Sequence, residues 1–162
     1  MAHKGGLRRT VVILVCVVAA AGVAGVYLVL RGWNLGDYTL DASTFDASHL
    51  AMVASKAGIT FPAGTRGQNL SWDHSSSIDP SFRAKLEIPA NAAKGFAAQL
   101  SKLPSETISL SDSSTKKKPA WWQPASATIV TENVRDFEAC YVRMVLCHEQ
   151  DKWILYVEWF SV

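Results

Sequence analysis

The stretch Phe82-Arg83-Ala84-Lys85-Leu86-Glu87-Ile88, closed by Pro89, alternates apolar and charged residues. Period-two alternation puts Phe82, Ala84, Leu86 and Ile88 on one face of a strand and Arg83, Lys85 and Glu87 on the other. Proline then ends the run, because it has no amide to give to a ladder. The sheet containing this strand therefore has one covered face and one polar face. An antiparallel sheet with helices on a single side meets that description.

Working outward, Asn91 is placed to cap a helix in which Phe96, Leu100 and Leu103 recur at i, i+4 and i+7, with Pro104 ending it. Gly95 weakens that helix without excluding it. On the other side, Gly67–Asp73 reads as a strand, entered through the turn Phe61-Pro62-Ala63-Gly64. Before the turn, a short helix capped by Thr44 or Asp46 carries Leu50, Val53 and Ala54 as its stripe, and Gly58 stops it.

Downstream, Ser105–Lys118 is rich in Ser, Thr and Lys and reads as a long exposed loop. A strand is expected near Thr128–Thr131, then strands over Glu138–Cys147 and Trp153–Phe160, joined by a five-residue hairpin loop, His148-Glu149-Gln150-Asp151-Lys152. Val142, Met144 and Leu146 form one apolar row, and Trp153, Leu155, Val157 and Trp159 another. The expected fold is α+β: an antiparallel sheet of about five strands with two helices on one face, built from residues 46–162.

Ahead of this domain, Thr10 to Leu30 is an uncharged apolar span. As a helix it rises about 30 Å, the thickness of a bilayer's hydrocarbon core. Lys4, Arg8 and Arg9 precede it and only Arg31 follows closely, so the positive-inside bias puts the N-terminus in the cytoplasm and the domain outside. The expected organisation is a cytosolic stub at 1–9, a transmembrane helix at 10–31, a juxtamembrane linker at 32–45 and the extracytoplasmic domain at 46–162. The lipid bilayer is thus one partner. The rival is a secreted protein cleaved near Ala21, where Ala19-Ala20-Ala21 offers small residues. Cleavage there would leave the apolar run Gly22–Leu30 as a new N-terminus, which argues for anchoring.

Four of the 16 basic residues flank the span, whereas all 14 acidic residues follow it. The domain is therefore net acidic although the whole chain carries +2, and nucleic acid is not an expected partner.

Chemistry is sparsely signalled. Cys140 and Cys147 on one continuous strand would lie about 23 Å apart and on opposite faces, too far for a disulfide. Both are expected free, and with only His148 nearby they lack the paired spacings of a zinc site. No metal or cofactor is expected. Ser71-Trp72-Asp73-His74-Ser75 collects a nucleophile, an acid and an imidazole, but neighbours on a strand face opposite ways and no nucleophile-elbow or Ser-x-x-Lys motif accompanies them. His49 reads as a solvated surface residue. The most distinctive local composition is Lys116, Lys117 and Lys118 followed by Trp121 and Trp122, which is either an adhesive patch for phosphates, headgroups or sugars, or a loop leading to two core tryptophans.

Phe61-Pro62-Ala63-Gly64-Thr65, Asp79 through Pro89, Phe96 and Trp121-Trp122-Gln123-Pro124 together resemble a loose group of short membrane-anchored or secreted bacterial proteins, best known from high-GC Gram-positive organisms and uncharacterised in function. The resemblance spans roughly half of the chain and implies no catalytic or binding residues. The Ser105–Lys118 loop and the two domain cysteines have no counterpart in it. The function expected is a non-catalytic binding or assembly module of the cell envelope, with an envelope protein or cell-wall polymer as partner. The alternative is a small envelope hydrolase using Asp73, His74 and His148.

Overall fold

The structure, a computed structural model, describes residues 37–74, 80–106, 118–138 and 140–161. The apolar span Thr10–Leu30, the start of the 32–45 segment, Lys116, Lys117 and most of the 105–118 loop lie outside the described residues.

The chain runs through β1 (Tyr38–Asp41), α1 (Ala47–Ala57), β2 (Arg66–Asp73), β3 (Ser81–Ile88), α2 (Ala90–Ser101), a short 3-10 turn (Pro124–Ser126), β4 (Thr128–Phe137), β5 (Cys140–Glu149) and β6 (Lys152–Ser161). The strands form one antiparallel sheet in the order β1-β2-β3-β6-β5-β4.

Asp46, not Thr44, caps α1, its carboxylate accepting the amides of Ser48 and His49 at 2.9 and 3.1 Å. Gly58 closes the helix in the left-handed region at φ 59°, a conformation that glycine adopts without a Cβ penalty. At α2 the expected cap is corrected: the helix begins at Ala90, and Asn91 lies inside the first turn. Pro89 holds the entry instead, since its ring fixes φ and its carbonyl accepts the Ala92 amide at 3.0 Å.

The sheet has six strands rather than about five. The extra one, β1, comes from the segment composition suggested as a linker, and Phe45 from the same segment is buried in the core. A four-residue edge strand is too short to show an alternation of its own. β4 continues to Phe137 through a register shift between Ile129 and Thr131, the bulge that hides its period in the sequence. The β5–β6 connection is also tighter than expected. Glu149 pairs with Lys152, so only Gln150-Asp151 turn, with Gln150 at φ 53°. Cys140 and Cys147 end up near opposite ends of β5, and both thiols are free.

The helix-covered face carries the main core. Across it run the rows Tyr38–Trp72–Phe82–Trp159–Val142 and Leu40–Leu70–Ala84–Val157–Met144. Val53 and Ala57 of α1 and Ala93, Phe96 and Leu100 of α2 pack on these rows. In the turn before β2 and on α2, Phe61 meets the Phe96 ring at 6.4 Å, and the Thr65 hydroxyl closes its turn on the Pro62 carbonyl at 2.7 Å.

β4 also ties down both helix ends. Asn133 donates to the carbonyls of Leu103 and Pro104, beyond α2, at 3.3 and 3.2 Å. Arg135, one alternation further, donates to those of Ala57 and Gly58 at the end of α1. These polar side chains sit on the core face because the helix termini there offer unsatisfied carbonyls.

Candidate binding face

Among the described residues, no α-helix packs on the opposite face of the sheet. Alternation sends Arg83, Lys85 and Glu87 of β3 to it, and strand register sets their partners on β5 and β6. The Arg83 guanidinium pairs with Glu158 at 2.7 Å, and Arg143 with Glu132 at 2.7 Å. Arg83 and Glu158 are both buried, so the face expected to be wet is covered along this row. Each of these buried charges has a counter-ion in contact.

Nearer the β5–β6 turn the charges alternate in sign. Lys85 reaches Glu149 at 2.7 Å, and Glu149 also accepts the Tyr156 hydroxyl. Lys152 reaches Glu87 at 2.8 Å, and Glu87 accepts from the Gln68 amide at 2.9 Å. Burial, then the hydrogen bond to Glu149 and its charge, pushes the Tyr156 phenol above its ordinary range. Beside it, burial and then the Glu149 charge push the Cys147 thiol up to about 11. A thiol of that kind is not a nucleophile at neutral pH.

A lid covers the centre of this face. Trp122 is buried there with Val145, Cys147, Ile154 and Tyr156, its ring edge-to-face with Tyr156 at 5.1 Å. Local hydrogen bonds shape the lid: Trp122 amide to Pro119 carbonyl at 2.9 Å, Gln123 side chain to Ala120 carbonyl at 2.8 Å, and Ser126 hydroxyl to Gln123 carbonyl at 2.8 Å. Proline at the first position of the 3-10 turn suits its fixed φ.

Two clefts flank the lid. The polar one, of about 640 Å³, is lined by residues including Gln68, Lys85, Thr128, His148, Glu149 and Lys152. The other, of about 450 Å³, opens toward β4 and is lined by residues including Lys118, Trp122, Pro124, Ala125, Ile129 and Arg143. Both volumes are of the size that holds a small ligand or one element of a larger partner.

Of the residues singled out by sequence, Trp122 belongs to the core of this face, Trp121 is half-buried against it at 6.0 Å, and Lys118 is exposed on the wall of the smaller cleft. The tryptophans therefore serve as a lid rather than as a free pair of rings. Asp73 and His74 stand at one end of the sheet and His148 at the other. Ser81, opposite Asp73, and Ile88, opposite Trp153, are seven registers apart, about 23 Å. His148 instead stacks edge-to-face on Trp153 at 5.3 Å, while the His74 ring accepts from the Trp72 indole at 3.4 Å. The three cannot share a proton at one reacting atom. His49 is held by the Asp46 carboxylate at 2.7 Å.

Sequence reading missed the Lys85–Glu149–Tyr156 and Gln68–Glu87–Lys152 sets. Each joins residues of different strands, and the signal was present only as the charged positions of β3. Among the described residues, no three His, Cys, Asp or Glu side chains come together as metal ligands. The face offers paired charges, hydrogen-bonding groups and two recesses. Comparison with family models, curated proteins and solved structures finds no match for the chain.

Proposed function

We propose that the chain is a membrane-tethered extracytoplasmic protein whose domain acts as a non-catalytic binding or assembly module of the cell envelope. The apolar run Thr10–Leu30, with basic residues clustered before it, supports the tether. The observation that carries the binding role is the helix-free face, where two clefts flank the Trp122 lid and the ion pairs hold their carboxylates in contact with cations. Such a face presents shape and hydrogen bonds, not an activated nucleophile. An envelope protein or a stretch of cell-wall polymer fits those recesses.

Photo-crosslinking in intact cells tests this reading. A crosslinker placed at exposed Thr128 or Gln150, on the cleft rims, is expected to capture an envelope protein or wall fragment, whereas one at exposed Lys94 of α2 is not. Equal capture from Lys94, or turnover of an envelope substrate by the purified chain, would overturn it.

A further inference from the structure

The polar cleft crosses the sheet instead of following one strand. Gln68 of β2, Lys85 of β3, Lys152 and Ile154 of β6, Glu149 of β5 and Thr128 of β4 all line it. In the order β2-β3-β6-β5-β4 that is four strand spacings, about 19 Å. A recess of that reach, about 640 Å³ in volume, takes a run of linked units better than one compact molecule.

The charges along it are already matched. Lys85 pairs with Glu149 at 2.7 Å and Lys152 with Glu87 at 2.8 Å, so two ammonium groups stand against two carboxylates. An anionic ligand would have to take a lysine from its glutamate, and a cationic one a glutamate from its lysine. Either exchange leaves a half-buried charge without its counter-ion.

Hydrogen-bonding capacity, by contrast, is left over. An ammonium carries three N–H groups, and each lysine gives one to its carboxylate. Gln68 donates to Glu87 at 2.9 Å, which leaves its amide oxygen as an acceptor. Thr128 adds a hydroxyl on an exposed residue. Donors and acceptors therefore alternate along the recess. A ligand hydroxyl both donates and accepts, so it meets such a lining without breaking an ion pair. Ala127 and Ile154 supply apolar lining for the C–H face of a sugar ring.

We infer that the polar cleft holds a stretch of uncharged, hydroxyl-rich glycan chain lying across β2 to β4. The inference rests on the binding role proposed above and names the ligand chemistry of one of its two clefts.

The test applies the full chain, in a detergent without a sugar headgroup, to an array of neutral, uronate-bearing and phosphate-bearing oligosaccharides of graded length. Neutral oligosaccharides should bind, longer ones more tightly than single sugars, with affinity unchanged between low salt and about 1 M salt. Thr128→Tyr, which blocks the β4 end from an exposed position, and Gln68→Ala should each weaken binding about tenfold, the worth of one or two hydrogen bonds. The resonances of α1 and α2 should not move in either variant. Binding confined to charged glycans, binding that fades with salt, or binding indifferent to both variants overturns the proposal. Vesicles carrying a lipid with a single neutral sugar separate a headgroup from a polymer: retention as tight as that of the longest oligosaccharide contradicts the chain-length claim. A blank array together with capture of a protein by the crosslinker at Gln150 overturns this inference and leaves the binding role standing. A blank array with no capture at Gln150 overturns both.

Discussion

The Arg135 guanidinium donates to the Ala57 carbonyl at 2.5 Å and to the Gly58 carbonyl at 3.1 Å, joining β4 to the end of α1. A cation at a helix C-terminus meets both the orphan carbonyls and the negative end of the dipole. Arg135→Met removes both bonds and leaves buried carbonyls unpaired. Urea unfolding should show a loss of about 2 kcal/mol, and an unchanged midpoint would contradict this role.

Gly67 is occupied from above by the Phe45 ring, and a Cβ there would sit 2.1 Å from the Phe45 Cγ. Gly67→Ala should therefore cost about 2 kcal/mol through overpacking alone. In a double-mutant cycle on the Phe45→Ala background, Gly67→Ala should cost much less, since the Cγ and Cδ atoms that the added Cβ would meet are gone. Additive effects would mean that the two positions do not press on each other.

The Arg83–Glu158 pair is buried to 9% side-chain exposure on each side. Glu158→Ala strands a buried guanidinium without this carboxylate, and the expected cost is about 3 kcal/mol by denaturant unfolding. Replacing both residues, Arg83→Met with Glu158→Leu, should bring stability back to within about 1 kcal/mol of the parent. A double variant as unstable as the single one would mean that the pair holds more than its own charges.

How much of this could be read in advance follows from particular residues. β3 announced itself because its four apolar residues, Phe82, Ala84, Leu86 and Ile88, alternate with three charged ones. α1 was legible from Asp46 and Gly58, two residues whose local chemistry marks helix ends. The β5–β6 register was harder. A five-residue loop would have set Cys147 opposite Trp153 and Leu146 opposite Ile154, turning the two apolar rows to different faces. The two-residue turn sets Leu146 opposite Leu155 and Met144 opposite Val157, so one face takes both rows. The rows themselves therefore held the register, although the polar composition of 148–152 pointed to a loop. The ion-pair sets of the candidate face depend on that register and on strand order, which no local window contains. β1 was lost for a similar reason, because Tyr38–Asp41 gains its meaning only from pairing with Asn69–Trp72.

Alkaline pH should loosen the domain. The Cys147 thiol rises from an ordinary 9.0 to about 11 in the folded chain, chiefly through burial. Between those values the unfolded chain has released the proton while the folded chain keeps it, so stability falls as pH rises from 9 to 11. Cys147→Ala removes this titration, and its stability curve should be flatter over the same interval. Parallel curves for the two proteins would contradict the assignment to Cys147.

The central claim is that the domain works outside the cytoplasm while held to a membrane by the apolar span. Intact-mass measurement of the chain from its own cells, after protease is added from outside, addresses it most directly. The account predicts that the untreated chain stays in the membrane fraction with residues 1–21 in its mass, and that external protease removes the domain and leaves the span behind. A mature chain that begins after Ala21 and is recovered from the medium, or a domain protected from external protease, would contradict it.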